Sequence, residues 1–147
     1  MMQTLRKISL YAATLWLGIQ IATGYIVTPI LFKMLPKMQA GKIAGVLFHI
    51  VSWSGLIILG ILFLTHTKIL TRLQTILLCT LLLSVAINQF LIAPVIEALK
   101  YGYEDWLLSL LGGSFGMWHG ISSIVFMATA LLSTALSWQL SSCKNAV

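Results

Sequence analysis

The sequence predicts an all-α fold: an integral membrane four-helix bundle, formed by residues 1–147 as a single transmembrane domain. Of these residues 59% are hydrophobic and 8% are charged, whereas soluble domains carry about 25% charged residues. Four apolar runs reach the roughly 20 residues that a membrane-spanning helix needs. The basic residues lie between these runs, where lipid headgroups are expected.

The four apolar runs are long and nearly free of charge. The first run follows Arg6 and Lys7, as in a signal peptide, but its roughly 25 residues exceed a signal h-region and no small-x-small cleavage site follows. We therefore expect this helix to be retained. The predicted spans are about 8–32, 43–65, 70–96 and 114–140.

The third connection is more than a turn. Glu104 and Asp105 are typical of a helix start, which predicts a short helix over 103–111 lying in the membrane interface. A second interpretation is an early start of the fourth span. The apolar residues at helical spacing are Trp106, Leu107, Leu110 and Leu111.

The net charge of +6 indicates membrane contact and argues against nucleic-acid binding, because the basic residues do not cluster with aromatic ones. With the N-terminus inside, five basic residues lie inside and four outside, which predicts that both termini are cytoplasmic. The inside set is Arg6, Lys7, Lys68, Arg72 and Lys144, and the outside set is Lys33, Lys37, Lys42 and Lys100.

The two halves of the chain resemble each other. Pro29 and Pro94 each lie near the end of an odd-numbered span and are followed by two aliphatic residues. The next span then carries an aromatic-His-x-x-Ser motif, at Phe48–Ser52 and at Trp118–Ser122. The pattern predicts two equivalent helical hairpins, with His49 and His119 in corresponding positions.

Polar side chains occur at one depth on all four spans, in the outer third of the bilayer. Such groups are costly in lipid unless they face one another or water. We therefore predict an outer-leaflet polar pocket. Its members are His119, Asn88, His49, Tyr25, Gln89 and Ser122.

Glycine rows and the two prolines predict how the helices pack. Rows of small residues let helix backbones approach closely, and they place both histidines on packing faces. The predicted packing residues are Gly41, Gly45, Gly112, Gly116, Gly120, Pro29 and Pro94.

Three functions fit this polar layer. It could be a pocket that binds or helps to pass a small solute or ion, or a network that only locks the helices together in a structural or accessory subunit. Two histidines across the bundle, His49 and His119, could also ligate haem b or a metal, although we predict no cofactor. We expect no enzymatic activity, because the spans hold no carboxylate pair and no nucleophile–base set.

Several motifs resemble the bacterial branch of a four-helix membrane family, domain of unknown function 4149, which includes the eukaryotic transmembrane protein 205. The resemblance covers about residues 12–135. It rests on "LWLG", "YIVTPILFKMLPKMQAGKIAGVLF", "PVIEALK" and "F-x-x-WHGISSI".

The resemblance implies a multi-pass protein of the bacterial cytoplasmic (inner) membrane. The eukaryotic member's link to platinum-drug tolerance hints at export or trafficking of a small solute, by analogy alone. The family pattern includes His119 and not His49, which weakens the haem interpretation. The expected partners are the lipid bilayer and either a second membrane protein or further copies of this chain.

Overall fold

The computed structural model describes residues 2–66 and 69–142, and all regular structure in these ranges is helical. Two of the four long helices contain an internal π-helical segment, here named π1 and π2. The elements in chain order are α1 (Met2–Ile21), π1 (Ala22–Val27), α2 (Thr28–Met34), α3 (Lys37–His66), α4 (Arg72–Ile87), π2 (Asn88–Ile92), α5 (Ala93–Tyr101), α6 (Trp106–Leu111) and α7 (Phe115–Ser142).

These elements form four membrane spans in an up-down-up-down bundle, as predicted. The spans that are long and apolar enough to cross a membrane are Gln3–Met34, Lys37–Thr65, Arg72–Tyr101 and Phe115–Ser142. Helix α1 packs against α3 and α7, and α4 packs against the same two helices. The first and third spans are therefore diagonal to each other, as are the second and fourth.

The core is a thin apolar column between the helices. Trp16, Leu59, Leu78, Leu81 and Leu136 are at most 1% exposed and pack in one cluster. The outward faces are also apolar, with Leu15, Leu64 and Leu131 at least 66% exposed. Apolar faces on both sides of a helix are expected when lipid takes the place of water.

The observed helices are longer than the predicted spans, which changes the depth counted for some polar groups. The third span ends at Tyr101 rather than near residue 96, and the second begins at Lys37 rather than near 43. Counted from the observed ends, Asn88 lies near the middle of its span, whereas its hydrogen-bond partner Ser122 is the eighth residue of the fourth span. The outer-third position of the polar layer stays a prediction.

The π segments lie at equivalent places in the two hairpins, each shortly before a proline. Proline has no N–H and clashes with the preceding turn, so the hydrogen-bond register must widen there. The N–H of Thr28 donates to Thr23 O, and the N–H of Ala93 donates to Asn88 O. The Thr28 hydroxyl donates to the same Thr23 oxygen over 2.8 Å. Pro29 and Pro94 thus set helix register.

The third connection contains helix α6, which begins at Trp106 rather than at the predicted residue 103. Asp105 caps it, because its Oδ1 accepts from the N–H groups of Leu107 and Leu108 over 2.9 and 3.0 Å. Gly112 ends the helix in a left-handed conformation with φ 64°, which favours glycine. The position of α6 at a membrane surface stays a prediction.

We name the two ends of the bundle by their residues. The acidic end carries all three acidic residues, Glu97, Glu104 and Asp105, and the connections at 35–36 and 102–114. The terminal end carries the start of α1, the end of α7 and residues 69–71 before α4.

Candidate functional site

The site is a chain of hydrogen bonds between the second and third spans. Gln89 Nε2 lies 2.9 Å from His49 Nδ1, and His49 Nε2 lies 3.0 Å from Glu97 Oε1. Because an amide nitrogen can only donate, Nδ1 of His49 accepts and Nε2 carries the ring proton. The imidazole therefore donates to the carboxylate of Glu97.

This chain runs from the bundle interior to the acidic end. Gln89 is 7% exposed, while the side chains of His49 and Glu97 are 36% and 44% exposed. At the far end, the Tyr103 hydroxyl donates to Glu97 Oε2 over 3.4 Å. Burial raises the pKa of Tyr103, and the charge of Glu97 and its hydrogen bond raise it further, so the phenol remains a donor at neutral pH.

Segment π2 positions the polar residues of the third span. Asn88 and Gln89 are its first two residues, and Glu97 follows in α5. Asn88 points toward the fourth span, where its Oδ1 accepts from the Ser122 hydroxyl over 2.9 Å. The two adjacent amides thus connect the third span to both of its neighbours.

A small cavity lies at the bundle centre, beyond Asn88. Its volume is about 10 Å³, and its polar lining consists of Gln20, Ser52, Asn88 and Thr129. All four residues lie near the middle of their spans. A cavity of roughly 10–15 Å³ is the smallest that holds a water molecule. A larger solute does not fit at this depth.

Gln20 links the first and fourth spans beside this cavity. It is 1% exposed, and its Nε2 donates to Phe126 O over 3.2 Å and to the Thr129 hydroxyl. Its Oε1 is buried and has no hydrogen-bond partner among the described residues. The polar groups therefore continue from the acidic end to the middle of the bundle.

His119 and Tyr25 do not belong to this site. His119 is exposed and stacks on Phe115, with ring centroids 5.8 Å apart. Tyr25 is 51% exposed, and its ring contacts Phe126 at 6.2 Å. The expectation that His119 lies on a packing face is wrong.

The repeat explains this asymmetry between the two histidines. With Pro29 matched to Pro94, the positions that correspond to Gln89 and Glu97 are Gly24 and Phe32. The first hairpin thus has no polar partner at these positions. The ring of Phe126 packs against Gly24, where a Cβ atom would collide with it.

Most of the predicted packing glycines make no close approach. A Cβ atom at Gly45, Gly116 or Gly120 would meet nothing within 4 Å, and at Gly41 it would meet only Lys100 and Phe32 at 3.7 and 3.9 Å. Gly112 has no such neighbour and instead ends α6. Small-residue spacing indicates where a helix can be approached, but not from which side a neighbour comes.

Gly55 makes the close helix contact of the first hairpin. A Cβ atom there would lie 2.5 Å from Trp16 Cζ2. The indole of Trp16 also donates to Val51 O over 2.9 Å, one turn before Gly55. This contact holds α1 and α3 together beneath the cavity.

The structure places the two histidines in different surroundings. Both ring nitrogens of His49 are within hydrogen-bond distance of protein groups, while His119 is exposed on the fourth span. Among the described residues, no group of three or more His, Cys, Asp or Glu side chains could hold a metal ion.

Three residues of the site were not singled out from the sequence: Gln20, Thr129 and Tyr103. The sequence does indicate a contact for Gln20, because an uncharged polar residue at the middle of an apolar span usually has an interhelical partner. In the sequence, Glu97 is distinguished only as a carboxylate at the end of a span. Its pairing with His49 depends on the register that π2 imposes.

Four long apolar helices around a polar centre define a multi-pass membrane protein. The chain belongs to the family described as domain of unknown function (DUF4149), whose family model matches residues 11–105. The matched region includes the His49 network and ends before the fourth span. Comparison with curated proteins and with solved structures found no match.

Proposed function

We propose that this protein is a non-enzymatic membrane protein that binds a small cation, or another small polar solute, at His49 and Glu97. The observation that carries the proposal is the Gln89–His49–Glu97 chain, which begins inside the bundle and ends at a carboxylate whose side chain is 44% exposed. The acidic end also carries Lys33, Lys37, Lys42 and Lys100, so the preference for a cation rests on Glu97 itself, the carboxylate at which the hydrogen-bond chain ends.

We propose further that the acidic end faces outward from the bacterial cytoplasmic (inner) membrane and that both termini are cytoplasmic. By sequence position, five basic residues flank the spans on the side of the termini and four, Lys33, Lys37, Lys42 and Lys100, flank them on the side of the acidic end. Basic residues in short segments prefer the cytoplasmic side. The resemblance to bacterial membrane proteins supports the same assignment.

The second candidate is a structural function, in which the polar groups only hold the helices together. One observation favours it: both ring nitrogens of His49 have protein partners. Interhelical hydrogen bonds in membranes contribute about 0.6 to 2 kcal/mol each. On this alternative, a second membrane protein or further copies of the chain would be the functional partner.

Ligand-dependent stability distinguishes the two candidates. The purified protein is unfolded in detergent at increasing concentrations of Na⁺, K⁺ or Mg²⁺ and at decreasing pH, and the free energy of unfolding is measured. A bound cation stabilises the folded state by about 2.7 kcal/mol at one hundred times its Kd. We expect saturable stabilisation by one of these cations or by protons.

The matched variants are Glu97→Gln and Glu104→Gln, which remove one carboxylate each at the acidic end. The stabilisation is expected to disappear in Glu97→Gln and to persist in Glu104→Gln, because Glu104 is exposed and lies outside the network. An equal response of both variants, or no saturable response in the native protein, would contradict the binding function and favour the structural one.

A further inference from the structure

The half of the bundle toward the terminal end contains buried polar atoms that have no hydrogen-bond partner. Among the described residues these atoms are Arg6 Nε, Gln20 Oε1, Ser133 Oγ and Ser137 Oγ. All four belong to the first and fourth spans, which pack against each other. We refer to them as the unpaired seam.

Helix geometry places the members of this seam in order of depth. Thr129, Ser133 and Ser137 follow one another at four-residue spacing, about 6 Å apart along one side of α7. The contact of Thr129 with Gln20 turns this side toward the first span. Ser133 and Ser137 therefore continue from the bundle centre to the terminal end, where Arg6 lies.

The unpaired hydroxyls require an explanation. Serine and threonine in helices usually donate to the carbonyl one turn earlier, as Ser123 and Thr134 do in the same helix. Within a bilayer an unsatisfied polar group costs several kcal/mol. Four such atoms along one line therefore indicate a ligand that the seam binds, and the ligand that hydroxyl, amide and guanidinium groups share most simply is water.

The central cavity lies at the inner end of this line. Gln20 belongs to both the seam and the cavity lining, and the cavity volume of about 10 Å³ matches a single water molecule. A water there can donate to Gln20 Oε1. The amide of Asn88, whose Oδ1 is taken by Ser122, can orient the same water.

We infer that water molecules fill the unpaired seam and the central cavity, and that together with the His49 network they form a proton path through the bundle. This inference rests on the proposed function and identifies the bound cation as the proton. A metal cation does not suit the path, because the cavity is water-sized and the only carboxylate within a membrane span is Glu97. Divalent cations take six or more oxygen ligands.

Each proton transfer in this path forms one N–H or O–H bond as another breaks, and no electrons move. For outward transfer, a hydronium ion in the seam gives a proton to Nδ1 of His49 as the Gln89 amide turns away, and neutral water remains. The proton on Nε2 of the imidazolium passes to the Glu97 carboxylate, which releases it to water at the acidic end. Rotation of the ring then turns the protonated Nδ1 toward Glu97, and a second transfer through the exchanged nitrogens followed by a second rotation restores the starting state. The amides orient water and carry no proton themselves.

Imidazole suits this role because one of its ring nitrogens can accept a proton while the other gives one up. The charged or titratable groups around it are Glu97 on α5 and, bonded to Glu97, Tyr103. Lys100 follows Glu97 on the same helix, and its Nζ lies by Gly41 at the start of the second span.

The test is proton flux into vesicles that contain the purified protein and an internal pH-sensitive dye. A potassium gradient with valinomycin drives the protons. We expect the native protein to acidify the vesicles about tenfold faster than protein-free vesicles, which corresponds to a barrier lower by about 1.4 kcal/mol. Acidification at the protein-free rate would overturn the proton path.

The variants are Gln20→Leu and the double variant Ser133→Ala with Ser137→Ala. We expect both to reduce the flux to near the protein-free rate. Thr134→Ala is the control, because its hydroxyl is bonded to its own helix, and it is expected to conduct like the native protein. Native flux in the double serine variant would overturn the inference, as would osmotic water flux without acidification.

A second measurement needs no variant and covers the case in which one fails to fold. Solid-state NMR detects transfer of magnetisation from water to the side-chain amide of Gln20 in the native protein, and its absence would overturn the hydrated seam. If flux is absent while the Glu97-dependent cation stabilisation persists, only the proton path is wrong. If both the proton flux and the Glu97-dependent stabilisation are absent, the proposed function is wrong as well.

Discussion

His49 and His119 share the aromatic-His-x-x-Ser motif but have different surroundings, so substitutions of the two residues can be compared directly. His49→Ala removes hydrogen bonds to Gln89 and Glu97 and leaves a largely buried amide without its partner. We expect the free energy of unfolding in detergent to fall by about 1 kcal/mol or somewhat more. The loss is no larger because His49 and Glu97 are partly exposed, which weakens their interaction. His119→Ala is expected to change it by less than about 0.5 kcal/mol.

The reverse order of these two effects would contradict the site. Equal losses would also indicate that the hydrogen bonds of His49 contribute nothing beyond the packing of an imidazole. Chemical unfolding of both variants in the same detergent gives the comparison directly.

Tyr103 provides a titration that reports on Glu97. Its pKa is raised by burial and by the charge and hydrogen bond of Glu97. The phenol therefore stabilises the fold below the ordinary tyrosine value of about 10, and this contribution is lost as pH rises through the raised value. In the absorbance titration, Tyr103→Phe is expected to remove the tyrosine that ionises at higher pH than the ordinary value.

The control for this titration is Tyr25→Phe, because Tyr25 lies outside the network. Subtracting the titration of Tyr103→Phe from that of the native protein isolates the signal of Tyr103. If this signal titrates at or below the ordinary tyrosine pKa, the phenol does not bond to Glu97.

At the scale of elements, π2 sets the geometry of the site. One extra residue in a helix creates a π bulge, and the bulge absorbs it, so the turns on either side keep their relative orientation. Pro94→Ala removes the residue that requires the bulge and lets the third span become α-helical throughout, which turns Glu97 by about 100° away from Gln89 and His49. We expect this substitution to abolish the cation-dependent stabilisation while the protein stays helical.

Deletion of Phe90 in the Pro94→Ala variant is the control, because it removes one residue and returns Glu97 to its original side. Phe90 is 52% exposed, although its ring contacts Trp53 edge to face at 5.5 Å, so its loss removes little packing. We expect the deletion to restore the stabilisation, and retained stabilisation in Pro94→Ala alone would show that π2 does not position Glu97.

Apolar runs were enough to predict the four spans, since lipid admits few other structures for a chain of this composition. They could not predict which side of each helix meets a neighbour. His119 and Gly116 share a face that looks like a packing face in sequence, and the structure leaves both exposed. The pairing of His49 with Glu97 also could not be predicted. It depends on the helix register set by π2, and residue spacing alone does not reveal a π segment.

For the whole molecule, the orientation can be tested with reporter fusions. Alkaline phosphatase is active only outside the cytoplasm. We expect activity when it is fused after Gly102, at the acidic end, and none when it is fused after Leu70, at the terminal end. The inverse pattern would place Glu97 in the cytoplasm and reverse the direction of the proposed path.

The lengths of the helices also concern the bilayer itself. The uncharged part of the first three spans measures roughly 35 Å at about 1.5 Å per residue, a few ångströms more than the hydrocarbon thickness of about 30 Å. Such an excess is relieved by helix tilt or by local thickening of the lipid. A tilt of about 20°, the average for membrane helices, brings such a span close to this thickness, and in thinner membranes the helices would lean further from the membrane normal.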